Sequence, residues 1–153
     1  MDDAVYNNLI ISLSKELKYA GQIDCPDCEA TLNNPLCGDR VTIQICVADK
    51  HIIDFRHQVR GCILCKASAS LLASRACGMT LMDIIELRKS LTEVIKPKSE
   101  EVVFQACHEI FRPVRKHRSR HSCVLLPYDA SIQALSSLVV HDENRLDVPV
   151  KNI

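Results

Sequence analysis

The chain has 153 residues, no net formal charge and 47% hydrophobic residues, so we expect one domain with a substantial core. Aromatic residues make up only 4% and tryptophan is absent, which disfavours a fold that stacks single-stranded bases on aromatic side chains. The balanced charge also argues against nucleic acid as the main partner, and no apolar run approaches the roughly 18–20 residues of a membrane span.

The first half of the chain predicts one helix and a small sheet. Residues 5–19 form an amphipathic pattern in which leucine recurs every four positions, which predicts a helix that ends near residue 21. Residues 41–47 and 53–60 alternate apolar and polar side chains, as half-buried strands do. A turn at 49–50 joins them into a hairpin, and we expect a third strand before Asn33.

The second half predicts helices that begin and end at clear signals. Small apolar residues over 62–76 indicate a closely packed helix, for which Gly78 is the C-terminal cap. Thr80 and Asp83 form a capping pair for the next helix, residues 81–95.

Proline residues set the remaining boundaries. Pro97 stops the second of these helices, another helix runs from Ser99 to Pro113, residues 115–122 form a polar loop, and a last helix follows Pro127. The fold class expected is therefore α+β, with a small antiparallel sheet of about three strands packed against a set of helices.

The chain ends bear on domain organisation and location. Residues 1–10 carry two acids directly after Met1 and no basic region, so they resemble neither a secretory signal nor a transit peptide. We expect a cytoplasmic protein. Residues 1–140 are predicted to form the single domain, and residues 141–153 a polar C-terminal tail.

Nine cysteines are the unusual feature of the composition. A reducing compartment disfavours structural disulfides, and an odd number cannot all pair within the chain. Cys37 lies on a predicted turn, Cys62 at a strand-to-helix junction and Cys123 before the last helix. With Asp39 they supply four ligands, which suits a tetrahedral zinc ion or part of an iron–sulfur cluster. A carboxylate is a weak partner in a soft site, so this ligand leaves the site easier to open.

Three segments carry a family resemblance. NNPLCGD at 33–39, RGCILCKASAS at 60–70 and RHSCVLLPY at 120–128 resemble the signature segments of the IscU/SufU/NifU N-terminal family of iron–sulfur cluster assembly scaffolds. The resemblance extends over residues 5–138, and it depends on all three segments in this order.

The resemblance implies a function and a set of partners. It implies that sulfur arrives as persulfide from a PLP-dependent cysteine desulfurase and passes on to downstream iron–sulfur acceptor or carrier proteins. It implies metal or cluster binding by Cys37, Asp39, Cys62 and Cys123, with zinc or a transient [2Fe–2S] cluster as the cofactor. Cys37 is the implied sulfur acceptor, in a sulfur-transfer partner of the desulfurase rather than a stand-alone enzyme.

The branch of the family also has sequence signals. The long interval between Cys62 and Cys123, together with Ser122 and Arg120 before the third cysteine, resembles the SufU-type branch, whose members hold zinc and act in sulfur transfer.

Two alternatives use other cysteines. The first is a structural zinc-binding interaction module with Cys25, Cys28, Cys62 and Cys65 as its ligands. The second is a thiol-redox enzyme that uses either CxxC pair, although neither pair follows a strand within a βαβ unit. The basic run within 112–120 also has two interpretations, a solvated loop or a docking patch for an acidic partner.

Overall fold

The computed structural model describes residues 7–98 and 106–143, which form three strands and four α-helices. The strands are β1 (Cys28–Asn34), β2 (Asp39–Ala48) and β3 (His51–Arg60), and the helices are α1 (Asn8–Ser14), α2 (Ile63–Ala76), α3 (Leu81–Ile95) and α4 (His121–Glu143). Two 3₁₀ helices, Ala106–Lys116 and Arg118–Arg120, precede α4. The predicted α+β class with a three-stranded antiparallel sheet is confirmed.

The sheet has the order β1-β2-β3, and both strand pairs are antiparallel. Alternate residues of β2, namely Val41, Ile43 and Ile45, are fully buried, as is Phe55 of β3. This period of two places them on one face of the sheet, against which α2 and α4 pack. The hydrophobic core therefore lies between the sheet and the helices.

The β2–β3 hairpin closes through the predicted two-residue turn. Asp49 and Lys50 both have positive φ angles, 51° and 66°. Two successive left-handed residues form the type of turn whose twist matches that of the flanking strands. Aspartate tolerates this conformation better than most residues, so the turn forms without glycine.

Helices α2 and α3 match their predictions closely. Most of α2 is buried because it packs against α1, α4 and β3, and its small side chains allow these close approaches. Gly78 follows α2 with a φ of 91°, as a C-terminal cap requires. A reciprocal capping box between Thr80 and Asp83 begins α3, as expected.

Helix α1 is shorter than the predicted 5–19. It begins after the N-cap Asn7 and ends at Ser14, and residues 5 and 6 lie outside the described residues. Tyr19 accepts a backbone hydrogen bond from His57, and Gly21 donates one to the same residue. Because this segment pairs with the edge of β3, it cannot also extend the helix.

The predicted polar loop over 115–122 is wrong. The chain there is 3₁₀-helical, and α4 starts at His121, before Pro127 rather than after it. Phe111 and Val114 are fully buried three residues apart, which is the period of a 3₁₀ helix. Pro127 lies inside α4, where the missing N–H removes one helical hydrogen bond that packing of the surrounding apolar residues offsets.

Part of the prediction falls outside the described residues. Residues 99–105, where a helix was predicted to start, and residues 144–153 of the predicted tail belong to this part. Helix α4 continues to Glu143, so residues 141–143 at the start of the predicted tail are helical. No helix within the described ranges is both long and apolar enough to cross a bilayer.

Candidate metal centre

The turn between β1 and β2 presents the first two candidate ligands. The side-chain oxygen of Asn34 accepts the backbone N–H of Leu36 at 3.2 Å, and its carbonyl accepts those of Cys37 at 3.3 Å and Gly38 at 2.8 Å. Gly38 has a φ of 72°, a conformation that glycine adopts without steric cost. This tight turn leaves Cys37 half-buried and sends Asp39 inward as the first residue of β2.

The junction of β3 and α2 supplies the next candidate. Asp39 accepts the backbone N–H of Cys62 through Oδ1 at 2.9 Å, and its Oδ2 lies 3.8 Å from Cys62 Sγ. A Cβ atom added to Gly61 would lie 2.2 Å from Asp39 Oδ1. Glycine at this position is therefore what allows the carboxylate to reach the start of α2.

The first turn of α4 brings in the last candidate. Cys123 Sγ lies 3.1 Å from Cys37 Sγ, although 86 positions separate the two residues in the chain. Asn34 Nδ2 donates to Ser122 Oγ at 2.8 Å and lies 3.7 Å from Cys123 Sγ. Cys37 Sγ in turn donates to the carbonyl of Ser119 at 3.6 Å. Hydrogen bonds therefore connect the β1–β2 turn to the start of α4 on both sides of the Cys37 and Cys123 sulfurs.

Three of the four predicted ligands form a compact group. The ligand atoms of Cys37, Asp39 and Cys123 all lie within 4.8 Å of one another. Cys62 is outside this group, although its sulfur is next to the Asp39 carboxylate. Two sulfurs on one tetrahedral zinc stand about 3.8 Å apart, so Cys37 and Cys123 need to separate by less than about 1 Å to share an ion. Two sulfurs and a carboxylate around one point are a donor set that fits zinc or iron.

Hydrogen bonding favours a thiolate on Cys62, beside this group. Cys123 and Asp39 are almost fully buried, whereas Cys37 and Cys62 are half-buried. A side-chain hydrogen bond from Cys123 lowers the pKa of Cys62 to about 6, against the opposing effect of burial. The same hydrogen bond raises the pKa of Cys123. The two shifts together favour the thiolate on Cys62 and the thiol on Cys123.

Cys65 lies behind the site in the core. It is fully buried, burial raises the pKa of its thiol, and its backbone N–H donates to Cys62 Sγ at 3.4 Å. This contact is the one that an N-cap side chain makes at the start of a helix, so Cys62 both caps α2 and faces the candidate centre.

The alternative four-cysteine zinc module is contradicted by the placement of its ligands. Cys28 pairs with Ile45 at the far end of β1, whereas Cys62 lies beside Asp39, which pairs with Asn34 at the near end. Six residue steps of extended strand separate the two ends, about 20 Å. Cys25 and Cys28 therefore cannot share one ion with Cys62 and Cys65.

Two histidines, His121 and His57, are buried in the fold. His121 is the first residue of α4, almost fully buried, and its Nε2 lies 2.9 Å from the carbonyl of Val114. His57 is buried on the inner face of β3, as its alternation predicted, and burial lowers its pKa. Neither ring nitrogen of His57 has a hydrogen-bond partner among the described residues.

Sequence reasoning missed three residues that shape the site. Asn34 shapes the turn and contacts Cys123, Gly61 makes room for Asp39, and Ser119 accepts from Cys37. An asparagine before a proline is a turn signal, so the sequence around Asn34 already indicated that it lies in a turn. Nothing in the sequence indicated the role of Ser119, because its contact is made by a backbone carbonyl.

Residues 5–124 match the family described as NifU-like N terminal domain. The iron–sulfur cluster assembly scaffold protein IscU of Thermotoga maritima is 22% identical over 134 residues, which cover 88% of this chain and 94% of that protein. The zinc-dependent sulfurtransferase SufU of Bacillus subtilis is 22% identical over 129 residues, 84% of this chain and 87% of that protein.

A solved structure is similar over nearly the same span. It is the N-terminal part of a nitrogen-fixing NifU-like protein from Brucella abortus, which superposes with a TM-score of 0.83 at 29% identity. The superposition covers 90% of this chain and 96% of that one.

Proposed function

The chain belongs to the NifU-like N-terminal domain family, and we propose that it is an iron–sulfur cluster assembly scaffold whose sulfur enters at Cys37. The observation that carries the proposal is the convergence of Cys37, Asp39 and Cys123 from distant parts of the chain, with their ligand atoms within 4.8 Å of one another. The IscU relative, which this chain matches over most of its length, is named for the same role.

Cys37 is suited to accept sulfur because it is the more accessible sulfur of the compact group. It lies on a turn and is half-buried, whereas Cys123 is fully buried. In the proposed step, the Cys37 thiolate attacks the outer sulfur of a persulfide on the donor protein. A new S–S bond forms at Cys37, the donor S–S bond breaks, and the donor cysteine leaves as a thiolate. The exchange needs no external oxidant or reductant.

The complete ligand set that we propose is Cys37, Asp39, Cys62 and Cys123. A bound zinc or iron ion would keep these sulfurs deprotonated and their geometry fixed. Asp39 is the labile ligand, because a carboxylate binds a soft site less firmly than a thiolate does. Its hydrogen bond from the Cys62 backbone holds it in position when it is not bound to the ion.

The proposed partners follow from this chemistry. A PLP-dependent cysteine desulfurase supplies the persulfide, and an iron–sulfur acceptor or carrier protein removes the product. A [2Fe–2S] cluster with two bridging sulfides needs four protein ligands, which is the number available here.

The finer assignment, zinc-dependent sulfur transfer, is supported by the SufU relative and by the mixture of thiolates and a carboxylate at the centre. A scaffold retains sulfide together with iron, whereas a sulfur relay holds sulfur only as persulfide. The two roles therefore differ in the product that accumulates on the chain.

The test is to incubate the protein anaerobically with a cysteine desulfurase, cysteine, a thiol reductant and ferrous iron. Acid-labile sulfide with visible absorption supports the scaffold, and persulfide on Cys37 without labile sulfide supports the relay. Cys37→Ser should prevent both, while Cys77→Ser, at an exposed position after α2, should change neither. A protein that gains neither sulfide nor persulfide would refute the proposal.

A further inference from the structure

A basic cleft lies between the end of α3 and the 3₁₀ connection to α4. Its volume is about 700 Å³, and it is lined by Ile95, Lys96, Pro97, Arg115, Arg118 and His121. Sites for small organic ligands usually occupy about 300–1,000 Å³, so this cleft has the size of such a site. None of its lining residues is among the four ligands that we propose for the metal centre.

The described lining of the cleft carries more positive than negative charge. Among the described residues, its lining includes three permanent cations, Lys96, Arg115 and Arg118, and no aspartate or glutamate. None of the three forms an ion pair with a carboxylate of the described residues. Arg112, in the same connection, contrasts with them because both its Nε and Nη2 bind Glu109, at 2.6 and 2.7 Å. In a chain with no net charge, this cluster is a local excess that a bound anion would neutralise.

The walls of the cleft are held in place by the fold. Arg115 Nε donates to the carbonyl of Val94 in the last turn of α3, so its guanidinium is anchored while its other N–H groups stay available. Ile95 is 1% and His121 5% exposed, and the His121 ring is fixed by the Val114 carbonyl. Ile95, Arg115 and His121 therefore form a fixed side of the cleft, which reduces the entropy cost of binding there.

We propose that this cleft binds a small phosphate-bearing molecule. Guanidinium groups match phosphate oxygens in pairs, and a lysine ammonium adds a point charge. Ile95 and Pro97 supply apolar surface for an organic group attached to the phosphate. The charges of the cleft and its size support this inference independently of the function proposed for the cysteines.

The position of the cleft has a consequence for Cys37. Arg118 is two positions before Arg120 in a short 3₁₀ helix, and Ser119 between them accepts the Cys37 thiol. A phosphate bound to Arg118 would hold this helix in place. It would thereby restrain the Ser119 carbonyl, which accepts the hydrogen bond from Cys37 Sγ.

The test uses pyrophosphate as the probe and the full chain, with metal removed by a chelator that is then separated from the protein. Calorimetric titration should show saturable binding of one pyrophosphate per chain. Lys96→Gln and Arg118→Gln should each weaken it at least tenfold. Lys50→Gln, which removes the same charge at the exposed β2–β3 turn, should change it less than twofold. Circular dichroism checks that every variant is folded.

Several results would overturn the proposal. Absence of saturable binding to the folded wild-type chain would do so, as would equal weakening in Lys50→Gln and in the two cleft variants. A parallel titration with hexaglutamate tests the other source of negative charge. If hexaglutamate binds with the expected sensitivity to Lys96→Gln and pyrophosphate does not bind, the cleft is a site for an acidic peptide and the phosphate assignment is wrong.

Discussion

Gly61 has no side chain, and the Asp39 carboxylate occupies the space that one would fill. We predict that Gly61→Ala displaces this carboxylate, because the new Cβ would lie 2.2 Å from Asp39 Oδ1. Zinc affinity measured by competition with a chromophoric chelator should fall at least tenfold. The free energy of unfolding should fall by about 1–3 kcal/mol, the usual cost of overpacking.

The matched control for this variant is Gly78→Ala. Gly78 has a φ of 91° and nothing within 4 Å of an added Cβ, at the end of α2 away from Cys62. This substitution strains the backbone and lowers stability by about 1 kcal/mol without touching a ligand. Equal zinc affinity in Gly61→Ala and the wild type would show that Asp39 does not contribute to the site.

Asn34 links the β1–β2 turn to α4 through its side chain. We predict that Asn34→Ala lowers the free energy of unfolding by about 1–3 kcal/mol, because the half-buried Ser122 hydroxyl and the Leu36 N–H each lose a partner. Urea unfolding followed by circular dichroism measures the change. The neighbouring Asn33→Ala removes a hydrogen bond to Arg40 at an exposed position and should cost less than about 0.5 kcal/mol. Equal costs for the two variants would contradict this role of Asn34.

Cysteine reactivity should differ sharply between the core and the surface. Burial raises the pKa of Cys28 to about 12, which disfavours the reactive thiolate. We predict that iodoacetamide modifies the exposed Cys77 of the native protein long before Cys28, and that guanidinium removes the difference. Mass spectrometry of peptides at timed intervals measures both rates. Rapid labelling of Cys28 in the native protein would place it at the surface.

At the scale of single elements, α3 is stabilised at its start by local contacts. Thr80 accepts the N–H of Asp83 at 3.3 Å, and the Asp83 carboxylate accepts the N–H of Thr80 at 2.9 Å. We predict that Thr80→Ala and Asp83→Ala each cost about 1 kcal/mol of unfolding free energy, and that the double variant costs less than their sum. Thr92→Ala, inside the same helix, should be neutral or stabilising because alanine has the higher helix propensity. Thermal unfolding of the four variants tests this, and additive costs would argue against a reciprocal box.

Elements with local signals could be predicted from the sequence, and those set by tertiary contacts could not. The capping pair fixed the start of α3 and Pro97 followed its end, so its predicted bounds are confirmed. Helix α1 ended early because residues 19–21 pair with β3, a contact between distant parts of the chain. The start of α4 at His121 depends on apolar packing against β1 and β2, which outweighs the signal of Pro127.

At the scale of the whole molecule, the site depends on contacts that span most of the chain. Cys37 and Cys123 meet because β1 packs against α4, and Asp39 meets Cys62 because β2 pairs with β3. The family resemblance pointed to these four residues, but no local pattern gives the distance between their atoms. The offset of Cys62 from the compact group of three had no signal in the sequence, and in the structure its sulfur also caps α2.

The central claim is that Cys37, Asp39, Cys62 and Cys123 bind one ion. X-ray absorption at the zinc edge of the zinc-loaded protein measures this most directly, because sulfur ligands at about 2.3 Å and oxygen ligands at about 2.0–2.2 Å scatter differently. We predict three sulfurs and one oxygen, with one zinc per chain. Four sulfur ligands, or fewer than three, would contradict the claim that these four residues bind the ion.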